Sequence, residues 1–290
     1  MALSIGYFVW VLCGCFLRRV NEMKLEVIKS KEALLLGASG SVGKEILKQL
    51  LNEPQFENVY VFVRKSLQLP VGVGSSKIIE VVLPDFTPDQ LCKKVSEVLL
   101  QIKNKNTQAV GFSALGVGAK TAALTIDQHR AIDVLLNKAF AQGLKSSDQV
   151  KSFEFMSAVG ANPNASPNGS GAAGMPRYAR VKGEAEEAVK SVGPAVVNIY
   201  RPAMIRGSLH TPKVLEIVLP IFDGILPKNF RSITTQMIAK AMVKNSVHPH
   251  PKTGVLHFSE MTELAKDQCP TFCPYPGESY DPYSKLRPRL

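Results

Sequence analysis

Ordered cysteine spacing is missing from this chain. Its five cysteines lie at 13, 15, 92, 269 and 273, an odd set without a framework pattern, which points to reduced thiols and a cytosol-facing body rather than a disulfide-stapled secreted module. A zinc site is excluded in the same way, because Cys269 and Cys273 lack a second pair at matching spacing and His248-Pro249-His250 does not supply one. No metal is expected. Although the net charge is +11, no run of Lys and Arg is interleaved with aromatics, so no nucleic-acid module is present and the basic field suits an anionic ligand or surface. Long apolar runs are also scarce. Leu3 to Leu17 is nearly all apolar and is followed by Arg18 and Arg19, a candidate membrane anchor that would keep the body on the cytoplasmic side. The competing reading is an extension that is absent when translation begins at Met23.

What is there is an α/β pattern. A chain of 290 residues with 45% apolar content can bury one large core. Apolar strand-like runs recur at Ala33–Leu36, Val59–Val63, Ile78–Leu83, Ala109–Ser113, Phe153–Met156 and Val196–Tyr200, with helical periodicity between them at Leu91–Ile102, Ile126–Ala141 and Tyr178–Val192. Near-continuous apolar strands alternating with helices imply a doubly wound parallel sheet of the Rossmann type, with ligands at the carboxyl ends of its strands. The expected organisation is an apolar N-terminal segment over 1–30, a dinucleotide-binding domain over 31–261 whose small substrate lobe begins near 202, and a disordered tail over 262–290. Helices are expected in that lobe at Pro212–Phe222 and Thr234–Asn245, and a last strand at Val255–Phe258. The stretch Asn162–Pro176, rich in Gly, Pro, Asn and Ser, reads either as a mobile flap over the site or as a tolerated surface insertion.

The first strand runs into Gly37-Ala38-Ser39-Gly40-Ser41-Val42-Gly43. Gly37 permits a tight turn, Gly40 lets backbone N–H groups approach a pyrophosphate, and Gly43 lets the following helix pack closely. The spacing is G-x-x-G-x-x-G rather than the commoner G-x-G-x-x-G. At the end of the second strand stands Arg64-Lys65 instead of the acid that grips a ribose 2′-hydroxyl. That pair suits a 2′-phosphate, and so NADP over NAD. Ser157 ends the fifth strand, and Tyr178 and Lys182, four residues apart, share a helix face. An ammonium beside a phenol stabilises the phenolate, which a tyrosine acid/base requires.

Together GASGSVG, Ser157, Tyr178 with Lys182, and Arg201-Pro202 with Gly207 resemble the short-chain dehydrogenase/reductase superfamily in its extended or atypical branch. Ala114-Leu115-Gly116 and the segment around Ser157 are most similar to its Tat-interacting-protein-type oxidoreductases. The resemblance implies that Gly37, Ser39, Gly40, Ser41, Val42 and Gly43 hold the pyrophosphate, Arg64 and Lys65 the 2′-phosphate, Asp85 the adenine edge, and Leu115 and Gly116 the nicotinamide side. It makes Tyr178 the acid/base, Lys182 its partner and ribose ligand, and Ser157 the substrate orienter, with Ala158 where the family often has a second hydroxyl. The expected function is an NADP-dependent oxidoreductase acting on a carbonyl or alcohol. Its alternatives are an epimerase or isomerase using the bound cofactor, and an NADP-sensing module that binds a protein partner.

Overall fold

The computed structural model describes residues 30–67, 75–102, 107–207, 223–248 and 250–266. Strand β1 (Lys31–Leu36) shows how the fold is layered. All residues from Ala33 to Leu36 are buried, but alternate side chains join different cores: Ala33 and Leu35 face one side of the sheet, Leu34 and Leu36 the other. A strand that is apolar on both faces needs helices on both faces, which is the doubly wound arrangement.

Helix α1 (Ser41–Asn52) covers the first face with Val42, Ile46, Leu47 and Leu50. It packs beside α6 (Thr235–Val247), whose Ile238 and Met242 join the same core. The opposite face is covered by α2 (Pro88–Gln101), α4 (Asn137–Lys145) and α5 (Pro176–Val192) through Leu91, Val95, Phe140, Leu144, Ala185 and Val189. Helix α3 (Ile126–Arg130) leads into α4 through a π-helical turn, Ala131–Leu136. The remaining strands are β2 (Phe56–Val63), β3 (Ile78–Val82), β4 (Gln108–Ser113), β5 (Val150–Met156), β6 (Val197–Tyr200), β7 (Ile205–Arg206), β8 (Ile233–Thr234) and β9 (Val255–Leu256). The large sheet has the order β3-β2-β1-β4-β5-β6-β9 with every pairing parallel, and β7 and β8 form a separate small parallel pair.

The strand order reverses between β1 and β4, so the loops leaving these two neighbours diverge and open a crevice at the carboxyl edge. Their first residues are tied together, with the Ala114 N–H donating to the Leu36 carbonyl at 3.0 Å. The last helix among the described residues, α7 (Phe258–Ala265), carries regular structure past Thr262, because Met261 and Ala265 bury one face of it. The helix expected at Pro212–Phe222 lies outside the described residues.

The membrane anchor requires correction. Among the described residues no helix is long and apolar enough to cross a membrane; α5, with 17 residues, is interrupted by Arg180, Lys182, Glu184 and Glu186. Leu3 to Leu17 lies outside the described residues, and membrane association and an anchored location are withdrawn.

Candidate active site at the β1/β4 crevice

The glycine turn is shaped by three backbone approaches. Gly37 adopts a φ of +87°, and a Cβ there would meet the Leu115 nitrogen at 2.6 Å, so the turn after β1 is pressed against the loop after β4. A Cβ on Gly43 would lie 2.0 Å from the Gly37 carbonyl oxygen, so only glycine lets α1 begin so close to the turn. At Gly40 the nearest protein atom to a Cβ would be 3.4 Å away. Its outer side is exposed, and no side chain caps α1. The first turn of the helix thus presents amide groups and positive dipole to the crevice, which fits a dinucleotide pyrophosphate. The turn also brings Ser39, Ser41 and Val42 to this rim.

The loop after β4 forms the far wall. The Ser113 hydroxyl donates to Asn137 Oδ1 at 2.6 Å, and Asn137 Nδ2 donates to the carbonyls of Leu115 and Asp133. Asp133 accepts from the Val117 N–H at 3.0 Å. Leu115 and Val117 are therefore held from beneath by Asn137 at the start of α4 and by Asp133 in the π-helical turn, a distortion that often marks functional sites. A Cβ on Gly116 would touch Asp133 Oδ1 at 3.1 Å and Lys182 Nζ at 3.3 Å. The loop's closeness to Lys182 thus depends on the absence of that side chain.

Helix α5 carries the chemical groups. Lys182 Nζ lies 5.8 Å from the centre of the Tyr178 ring and 2.6 Å from Asp133 Oδ1. Burial works against the ammonium, yet the Asp133 carboxylate holds the Lys182 pKa above the ordinary lysine range. Burial likewise works to raise the Asp133 pKa, but Lys182, helped by His129, holds that carboxyl well below the usual range. The Tyr178 hydroxyl has no hydrogen-bond partner among the described residues, and its ring stacks on His129 with centroids 5.8 Å apart.

Ser157 is buried, and its hydroxyl donates to Glu186 at 2.6 Å. Glu186 also accepts both arms of Arg201, at 2.8 and 2.6 Å. With its proton committed to a carboxylate, the Ser157 oxygen can only accept from a ligand. The Asn162–Pro176 stretch is attached to the front of α5. Its Ala165 carbonyl accepts from Arg180 at 2.8 Å, Asn162 N–H donates to Ala179, and a Cβ on Gly183 would meet the Pro163 nitrogen at 2.2 Å.

The structure thus gathers Gly37, Gly43, Leu115, Gly116, Tyr178 and Lys182 around one crevice. Arg64 and Lys65 stand exposed beyond β2, and Asp85 is exposed in the loop before α2. Sequence reasoning missed Asp133, His129 and Glu186. Asp133 interrupts the apolar run Ile132-Asp133-Val134-Leu135-Leu136, which was the available clue.

A family model described as NAD(P)H-binding matches residues 37–248, the span from the glycine turn to the end of α6. The chain belongs to this NAD(P)H-binding family. Among relatives of this NAD(P)H-binding protein, Protein HTATIP2 of Rattus norvegicus is 26% identical over 244 residues, covering 83% of this chain and 91% of the relative. The mitochondrial Protein FMP52-1 of Scheffersomyces stipitis is 31% identical over 185 residues, covering 63% and 71%. The solved UDP-glucuronic acid 4-epimerase of Bacillus cereus, in complex with UDP-glucuronic acid and NAD, shares the fold with a TM-score of 0.52 at 12% identity, covering 78% of this chain and 76% of that one.

Further solved NAD complexes share the fold at TM-scores of 0.51 to 0.53. The expected preference for NADP is corrected on this finding. Its basis, Arg64-Lys65, is a pair of exposed side chains at a loop, and exposed charges are weak evidence for a specific phosphate contact. The expected protein partner is withdrawn with it, since these neighbours are complexes with small molecules, nucleotide sugars among them.

Proposed function

We propose that the chain binds NAD in the β1/β4 crevice and interconverts a secondary alcohol and its ketone on a nucleotide sugar, in the manner of an epimerase that keeps its cofactor. The observation that carries this reading is the Tyr178–Lys182 pair, with Lys182 against the Gly116 loop and the phenol hydroxyl without a hydrogen-bond partner among the described residues. The nucleotide-sugar class is supported by the substrates and ligands of the solved neighbours. Within the superfamily the chain resembles the Tat-interacting-protein group, in line with the relative from rat.

Bound NAD would supply a hydride acceptor and donor. Gly37, Ser39, Gly40, Ser41, Val42 and Gly43 would hold its pyrophosphate, Asp85 its adenine edge, and Leu115 and Gly116 would support the nicotinamide. Tyr178 removes the proton from the substrate hydroxyl and returns it to the carbonyl oxygen. Lys182, paired with Asp133, stands beside the phenol and would hydrogen-bond the ribose hydroxyls of the cofactor. Because Ser157 donates to Glu186, its oxygen is left as an acceptor, and it would orient the substrate by accepting from a second hydroxyl beside the one that gives its proton to Tyr178. We assign residues 31–261 to this unit and the substrate-facing role to the part from about 202.

The test is incubation of the full chain with NAD and a panel of UDP-sugars, followed by proton NMR for the epimer and absorbance for net NADH. Epimer without accumulating NADH supports the reading. Steady NADH release would favour net oxidation of an alcohol, and no turnover of any sugar nucleotide would sink the substrate class.

A further inference from the structure

A lone ammonium next to a tyrosine lowers the pH at which its phenolate forms, but the ammonium here is not alone. Asp133 Oδ1 lies 2.6 Å from Lys182 Nζ, and both side chains are nearly sealed from solvent. The pair carries no net charge. Field lines from the ammonium end largely on the carboxylate, so the phenol beside it feels a dipole rather than a unit positive charge. Asp133 is itself fixed: its other oxygen accepts from Val117 N–H, and the π-helical turn sets its position.

The groups facing this pair add little to offset it. From α5 come Tyr178 itself and Glu186, a second negative charge felt by Lys182, though Glu186 is paired with Arg201. From α3 comes His129, fully buried, with Nε2 at 3.6 Å from Asp133 Oδ1 and neither ring nitrogen hydrogen-bonded among the described residues. Arg130 is bound to Glu184. The Leu115–Val117 loop contributes no titratable side chain.

We infer that Asp133 is a positioning residue of the reaction, which locks Lys182 beneath the Gly116 loop and neutralises the charge that stands beside Tyr178. His129 serves as the platform for the phenol ring. The inference rests on the acid/base assignment of Tyr178 made above, but its test needs no substrate, so a failed sugar panel and a failed titration are separate results.

The Tyr178 phenol is titrated by ultraviolet difference absorbance, each protein being compared with its own Tyr178→Phe version. Asp133→Asn removes the negative member, so over the pH range in which Lys182 keeps its proton phenolate should form about one pH unit or more lower. Lys182→Met leaves the pair at −1, so phenolate should form at higher pH. The double variant Asp133→Asn/Lys182→Met restores zero charge and should titrate close to the parent. Should Asp133→Asn fail to fold because its ammonium is left unpaired, the double variant against Lys182→Met decides alone: the double must titrate lower. His129→Phe keeps the stack and removes the nitrogens, and the Asp133→Asn step should persist in that background. An unchanged or upward shift in Asp133→Asn, a double variant that matches Lys182→Met, or a step that vanishes with His129 would each overturn the inference.

Discussion

Two acids are buried almost equally deeply in this protein, and their proton affinities are displaced in opposite directions. Asp133 is 1% exposed at the crevice, and Glu154 is 0% exposed within β5. Burial works to raise both, and in Glu154 it wins: Tyr200, Asn198 and Ser152 donate to its carboxyl but bring no positive charge, so its pKa rises. In Asp133 it loses to the ammonium 2.6 Å away. Depth alone therefore does not say what a buried acid is for. The partner does, and the charged partner is found where the proposed chemistry lies.

The largest test of this contrast breaks the charged pair. Asp133→Ala should cost about 3–5 kcal/mol in urea unfolding, because it strands a buried ammonium. Most of that loss should return when Lys182→Met is added, since no unpaired charge remains. If the single and double variants are equally destabilised, the pair is not the source of the cost.

The two tyrosines sharpen the contrast next. With an active substrate in hand, Tyr178→Phe should lower kcat by about 10²-fold or more while leaving NAD affinity and unfolding nearly unchanged. Tyr200→Phe removes the 2.6 Å hydrogen bond to Glu154 and should do the reverse, costing about 1–3 kcal/mol of stability at unchanged kcat per folded molecule. Kinetics and urea titration of the same two preparations would show whether the roles separate so cleanly.

The smallest effect is in the pH dependence of stability, where the acids differ in sign. Asp133 binds its proton more weakly in the folded chain, so its contribution is present above its unfolded pKa and lost as pH falls through the folded value. Glu154 binds its proton more tightly when folded. Its favourable contribution is therefore complete below the unfolded value near 4.5 and is lost as pH rises through the raised one. Relative to Glu154→Gln, which lacks this titration, the parent should lose stability as pH is raised through the displaced value. Equal slopes for the two proteins would mean that Glu154 is not displaced.

Much of the architecture follows from the order of residues alone. Ala33 to Leu36 and Val59 to Val63 are apolar at every position, and a strand with two apolar faces between amphipathic helices has few places to go but the middle of a doubly wound sheet. The glycine turn is equally local. Gly37, Gly40 and Gly43 act through backbone shape within a few residues, and Tyr178 and Lys182 are brought together by the pitch of a single helix.

Only the tertiary structure decided what surrounds them. Asp133 and Lys182 are 49 positions apart and meet because the π-helical turn before α4 and the middle of α5 are packed side by side beneath the Gly116 loop. Ser157 meets Glu186 and Arg201 in the same way, across β5, α5 and the end of β6. Periodicity records which face of an element is buried; it carries no record of which charge on a distant element will lie across from it. Coulomb energies in a low-dielectric interior depend on those distances to within an ångström or so, and such distances exist only once the chain has folded.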